Sequence, residues 1–363
     1  KRLGLKKDDI GNTISVADYN KECRHDVMQF KEIWEDLTEK MGYWVDMEDP
    51  YITYDKNYIE TVWHLLKRLY DKDLLYKGYT IQPYSPAAGT GLSSHELNQP
   101  GTYKNVKDVS CTAQFKLVGT ENEYFLAWTT TPWTLPSNAA LAVGKKINYL
   151  KVETVNPYTL DRIVVYIAKD LLSGYFKPEG AKMEFDAFKK NGKVIPYRIL
   201  EELKGADLVG KRYEQLLDYV KPDGDAFRVI EGDFVTTEDG TGIVHIAPTF
   251  GADDQRVSMQ QKIPAITITD PNNSQKQLPL VDREGKFVAE MGEFAGRYVK
   301  NYTDDPDYVD VNIDLSVKLK LENKACRVEK YEHNYPHCWR TDKPVLYYPL
   351  EAWFIRTTAF KDR

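Results

Sequence analysis

The 363-residue sequence has no apolar run approaching the roughly 20 residues that a membrane-spanning helix needs, and no apolar leader precedes its first helical pattern. A mean hydropathy of -0.54 adds to the expectation of a soluble, cytoplasmic protein with no membrane partner. Four cysteines, Cys23, Cys111, Cys326 and Cys338, are scattered without a Cys-x-x-Cys, which argues against a disulfide framework and suits a reducing compartment. There is no Gly-x-Ser-x-Gly elbow, no plausible Cys/His pair and no metal-ligand set, so covalent and metal-assisted hydrolysis lose their usual carriers. A basic surplus is missing too. The formal net charge of -6 argues against a protein that coats nucleic acid through a general positive field, though not against docking on a local patch. Small basic groups at Lys104/Lys107, Lys145/Lys146, Lys189/Lys190/Lys193 and Lys318/Lys320 read as ordinary solvated faces. The first residue is Lys1 rather than Met, so an excised piece is expected.

What is present is a string of hydroxyls at a strand end. Tyr124-Phe125-Leu126-Ala127-Trp128 is apolar, aromatic and free of Gly and Pro, the pattern of a buried strand. Pro132 and Pro136 lack amide hydrogens and bias Thr131 and Leu135 towards extended backbone, so the strand must stop. It stops among Thr129, Thr130, Thr131, Thr134, Ser137 and Asn138, with Trp133 as an apolar wall. Threonines at such a place also serve simply to satisfy nearby backbone groups, and three of them alone leave both readings open.

The longer string Thr129-Thr130-Thr131-Pro132-Trp133-Thr134-Leu135-Pro136-Ser137-Asn138 resembles the threonine-rich segment of the CP1 editing domain of isoleucyl-tRNA synthetases. A second segment, Gly240-Thr241-Gly242-Ile243-Val244-His245-Ile246-Ala247-Pro248, followed by Phe250-Gly251 and Asp253-Asp254, resembles the stretch that faces those threonines in the same family. Leucine and valine relatives usually carry Arg where Thr131 stands, and no Trp after the proline.

The expected fold is mixed α/β, a barrel-like β editing domain with helical flanks. Residues 1–78 form a helical segment leading in from a catalytic domain, with Asp18 capping a helix that runs to Gly42 and Asp55 capping a second. Its aromatic stripe is expected in a core. Residues 79–108 are a Pro/Gly/Ser-rich ribbon, 109–325 the editing domain and 326–363 a return segment. Strands are expected at Cys111–Val118, Tyr149–Val155, Ile163–Ile167, Phe227–Val235 and Gly242–Ile246, with helices after Ile167 and from Asp253. Bacterial relatives often hold zinc between the ribbon and the return segment; the matching positions here are Ser85, Ala88, Cys338 and Thr341, so no metal is expected.

The resemblance implies hydrolysis of valine from mischarged tRNA(Ile). Isoleucine and valine differ by one methylene, worth about 1 kcal/mol on burial, and this amino-acid pair is the standing illustration of why a second, hydrolytic sieve is needed. The implied partner is the 3' end of tRNA(Ile) carrying valine, and a monomer is expected. Water attack without a cofactor is implied for editing; ATP and Mg belong to the parent enzyme, whose His-Ile-Gly-His and Lys-Met-Ser-Lys-Ser signatures are absent here. By resemblance Thr130 and Thr131 hold the terminal adenosine and scissile ester, with Thr129 at their edge, and Trp133, Thr134 and Asn138 line the pocket. His245 narrows it against isoleucine. Asp254 reads locally either as a helix-start charge or as an anchor for the substrate ammonium; the resemblance favours the anchor, with Asp253 as the cap. Two other functions fit the same features: an inert module binding the tRNA acceptor end, and a valine-type domain clearing Thr-tRNA.

Overall fold

The computed structural model describes residues 4–5, 9–190, 192–271 and 273–361; Lys1 lies outside them. The chain divides into two compact units, Lys1–Tyr76 with Ile355–Arg363, and Lys77–Phe354.

The first unit carries α1 (Val16–Met28), α2 (Lys31–Lys40) and α3 (Lys56–Tyr70). Where the sequence suggests one helix capped by Asp18, Ser15 is the cap. Its hydroxyl accepts the Asp18 amide at 3.0 Å, and the helix breaks between Met28 and Lys31 before α2 begins. Asp55 does stand at the N-cap of α3, though its side chain makes no capping bond. The aromatic stripe is not in a core. None of the three helices has a buried residue, and Trp34 and Trp63 are 67% and 71% exposed. An apolar helix face is buried only when a second layer covers it, and this unit supplies none.

The second unit is mostly sheet. Its elements are β1 (Leu75–Ser85, starting just before the division), β2 (Thr90–Gly91), α4 (Ser94–Leu97), β3 (Tyr103–Lys116), β4 (Glu123–Thr129), β5 (Ala140–Val143), β6 (Asn148–Val155) and β7 (Arg162–Ala168). There follow α5 (Leu172–Tyr175), β8 (Tyr197–Lys204), α6 (Gly205–Leu208), β9 (Arg228–Glu231), β10 (Ile243–Ile246) and α7 (Ala252–Gln261). The unit closes with β11 (Thr267–Asp270), β12 (Asn273–Pro279), α8 (Val311–Leu321), β13 (Ala325–Pro336) and β14 (Leu346–Ile355). A six-stranded sheet runs in the order β13-β3-β4-β7-β6-β8, antiparallel except for the parallel pair β4–β7. A second sheet runs β10-β5-β9, with His245 opposite Leu141 across β10 and β5. This is the mixed α/β class expected.

Both sheets feed one core. Phe125 and Ala127 of β4 join Leu141, Val143, Ile230 and Ile243 there, while Tyr124 and Leu126 turn to a separate cluster with Leu150, Val152, Ile163 and Val165. The barrel-like wrap comes from stitching rather than a continuous ladder. The Ala168 amide donates to the Thr241 carbonyl at 2.8 Å, and the Thr241 hydroxyl donates to the Leu126 carbonyl at 2.6 Å. Gly242 makes the approach possible: it has φ +73, and a Cβ there would lie 2.4 Å from the Ala168 Cβ.

Candidate active site

Local sequence builds the site in three steps. β4 delivers Thr129 at its last position, Thr131 follows with φ -128 and ψ 69, and Pro132–Ser137 winds into a 3-10 helix begun by proline. The Thr131 amide donates to the Thr129 hydroxyl at 3.0 Å, and the two hydroxyl oxygens lie 3.2 Å apart. Thr134 donates its hydroxyl hydrogen to the Thr131 carbonyl at 2.8 Å. That leaves the Thr134 oxygen to accept from His245 Nε2 at 3.0 Å, so the network assigns the proton to Nε2 and leaves Nδ1 as an acceptor. Nδ1 is buried and without a hydrogen-bond partner among the described residues. Burial pushes the imidazole down to about 4, so His245 is neutral at physiological pH.

Thr129, Thr130 and His245 line an opening of about 330 Å³. Trp128, Phe234, Thr236 and Asp239 line it too, and the sequence reading named none of them as site residues. Trp128 and Asp239 had a signal, each abutting one of the two motifs; Phe234 and Thr236 had none, since only the sheet closure brings them in.

Thr131, Trp133, Thr134, Asn138 and Asp254 are not among its lining residues. Trp133 is 3% exposed, its ring packed edge-on to Phe250 at 4.9 Å between centroids and its amide donating to Asn312 at 2.9 Å. Asn138 is spent on the fold, donating to the Ala140 carbonyl and accepting from the Tyr213 hydroxyl. Asp254 accepts the Ala247 amide at 2.9 Å, which ties the start of α7 to the end of the strand bearing His245. The residue is partly buried, with its carboxyl beneath the surface. Burial pushes that carboxyl up to about 7, against the pull of the Ala247 bond and with a smaller push from the Asp253 charge. Asp253 is not the cap it was expected to be: Gly251 holds that position, and Asp253 pairs with Arg256 at 3.2 Å. At the second position of the helix its side chain reaches Arg256 at i+3 rather than the free first-turn amides.

Ser85, Ala88, Cys338 and Thr341 do come together. Ser85 accepts the Ala88 amide at 3.1 Å; burial raises the Cys338 thiol, but hydrogen bonds from Ser85, the Arg340 amide and Thr341 outweigh it and leave the thiol below its ordinary value. One thiol and two hydroxyls do not form a tetrahedral zinc set. His333 is engaged by Asp108 at 3.0 Å, and His337 donates to the Tyr335 carbonyl. Among the described residues no three His, Cys, Asp or Glu side chains are grouped to hold a metal ion.

This geometry offers hydroxyls and a neutral imidazole at one opening, with a desolvated carboxyl bonded to the residue that follows the strand bearing His245, groups suited to orienting water and an ester. The chain is similar to the isoleucine–tRNA ligase of Cytophaga hutchinsonii, 58% identical over 380 residues covering 100% of this chain and 34% of that protein. The ligase of Bacteroides fragilis is 56% identical over 389 residues, again 100% of this chain and 34% of the relative. The chain thus spans about a third of the length of the curated relatives it matches. Among solved structures, the editing domain of the P. knowlesi cytosolic leucyl-tRNA synthetase aligns at a TM-score of 0.39 and 11% identity, covering 62% of this chain and 97% of that one. The family model for tRNA synthetases class I (I, L, M and V) matches residues 1–363, and the chain belongs to that family.

Proposed function

We propose that this chain is the editing portion of an isoleucine-specific synthetase and hydrolyses the ester of Val-tRNA(Ile). The observation that carries the reading is the hydrogen-bonded chain Thr129–Thr131–Thr134–His245, whose two ends line an opening with no Ser, Cys or Lys among the described residues of its lining. A water molecule attacks the ester carbonyl carbon, the bond from that carbon to the ribose oxygen breaks, and the ribose oxygen takes a proton. Thr130 and Thr131 donate to the ester and the terminal ribose, and a ribose hydroxyl helps to hold the water. His245, neutral and without a carboxylate partner, acts by bulk: it admits valine and leaves no room for the extra methylene of isoleucine. Asp254 receives the substrate ammonium. A carboxyl held near 7 by burial lacks a cation, and an ammonium beside it restores its ionised form.

The full-length protein of which such a chain is a part attaches isoleucine to tRNA(Ile) with ATP and Mg; this stretch edits without either. Multiple-turnover deacylation of Val-tRNA(Ile) by catalytic amounts of the chain tests the reading. Valine release in excess over protein is expected. Binding of the tRNA without turnover would make the chain an inert acceptor-end module, and preferential clearing of Thr-tRNA would make it a valine-type domain.

A further inference from the structure

A cavity of about 310 Å³ lies against the face of the six-stranded sheet that carries Leu126, lined on its other side by residues 173–177 with Lys193 and Ile195. It shares no lining residue with the opening at Thr129, Thr130 and His245. Its floor is apolar: Leu126, Ile163 and Val165 from β4 and β7, with Val155 and Phe176 at the sides. The volume falls at the lower end of small-molecule sites, about 300–1,000 Å³, and is large enough for a short-chain organic molecule.

The charged groups that line it are of one sign. Lys177, Lys193 and Arg327 line it, and no Asp or Glu does among the described residues. Arg327 is engaged, pairing with Glu329 at 3.0 Å and donating to the Gly174 carbonyl at 2.7 Å. Lys177 and Lys193 are exposed and in no ion pair among the described residues. Tyr158 accepts the Val328 amide at 2.9 Å, which leaves its own hydroxyl hydrogen free to donate. Burial raises both the Tyr175 phenol and the Cys326 thiol, so neither adds a negative charge inside. An apolar interior with donors and two uncommitted cations at the mouth repels a cation, gives a neutral alcohol no ionic partner, and matches a small anion with an apolar tail.

We infer that this cavity is a second ligand site, taking a small amphipathic monocarboxylate with its apolar body on Leu126, Ile163 and Val165 and its carboxylate between Lys177 and Lys193. The probes are octanoate and octanol, which share a tail and differ in charge. Methyl-resolved NMR of the full chain reads their location directly. Octanoate should shift the methyls of Leu126, Ile163, Val165 and Ile195 saturably, leave those of Ile243 and Val244 unmoved, and bind at least tenfold more tightly than octanol. Lys177→Gln/Lys193→Gln, two exposed positions whose change leaves the core intact, should abolish that preference and leave octanol binding as it was. Ile195→Trp, which fills the cavity, should abolish binding of both. The inference is overturned if octanoate gives no saturable shift at the cavity methyls, if octanol binds as tightly as octanoate, or if the double lysine variant keeps the preference.

Discussion

The two units use apolar residues in opposite ways. In the helical unit the apolar positions recur at helical spacing, yet Trp34 is 67% exposed and Trp63 71%. In the sheet unit Phe125, Leu141, Val143 and Ile230 are each at 0%. Periodicity is present in both; only the second has two layers, a six-stranded sheet and a three-stranded sheet, to close on one another. An apolar pattern marks a face that seeks cover, and the cover is a separate fact about topology. The site belongs to the covered unit: its threonines end one sheet and its histidine lies on the other, so it exists only where the layers meet.

The sharpest way to break this comparison is to truncate one large residue in each unit. Phe125→Ala should destabilise the fold by about 3–5 kcal/mol in urea unfolding, because it leaves a cavity the core cannot collapse into. Trp63→Ala should cost about 0.5 kcal/mol or less, as surface changes do. Equal costs would mean that the helical face is covered after all.

Next in size is Asp254. Loss of a charge-assisted contact to the substrate ammonium costs about 1.5–3 kcal/mol, so Asp254→Asn should slow single-turnover deacylation of Val-tRNA(Ile) by roughly one to two powers of ten. Near-normal deacylation would remove the anchor assignment. The same variant carries a pH signature. A carboxyl raised from 3.8 to about 7 contributes stability that is fully present below 3.8 and is lost as pH rises through about 7. His245 runs the other way: lowered from 6.5 to about 4, it contributes stability present above 6.5 and lost as pH falls through about 4. The two windows overlap and largely cancel, so the melting temperature of the chain should change little between pH 4 and 6.5, whereas in Asp254→Asn, with only His245 left, it should rise across that window.

A smaller effect is expected at the hinge of the hydroxyl chain. Thr134→Val keeps the shape and removes bonds to the Thr131 carbonyl and to His245, a loss of about 1 kcal/mol in thermal unfolding. The smallest is none at all. With Ser85, Ala88 and Thr341 beside Cys338, elemental analysis should find no stoichiometric zinc, and chelators should leave deacylation unchanged; one zinc per chain would contradict this.

Much of the sheet unit was legible because its strands carry their own boundaries. β4 ends at Thr129 where the Pro132 turn demands it, and β6 and β7 alternate or bury as β-branched runs do. α8 was not legible. Val311, Ile313, Leu315, Val317, Leu319 and Leu321 alternate with period two, the mark of a strand, yet the segment is a helix. Asp310 caps it by accepting the Asn312 amide, and burial follows Val311, Leu315 and Leu319, leaving Ile313 and Val317 about half exposed and Leu321 more so. Tertiary packing chose one face of a pattern that offered two. At the candidate site the two motifs were readable, but Phe234 and Thr236 were not; Trp133 packs in the core, Asn138 accepts from Tyr213, and neither lines the opening. A hydroxyl-bearing string points to a candidate site; which of its members reach the opening depends on the 3-10 turn that follows.

The central claim is that a sieve is built where the two sheets meet, with His245 as its gauge. The most direct measurement is single-turnover deacylation of Val-tRNA(Ile) and Ile-tRNA(Ile), side by side, by the chain and by His245→Ala. The account predicts that the chain clears only the valine ester, and that the variant clears both while keeping appreciable activity on valine. A folded variant inactive on both esters would contradict it and make the imidazole a participant in the chemistry.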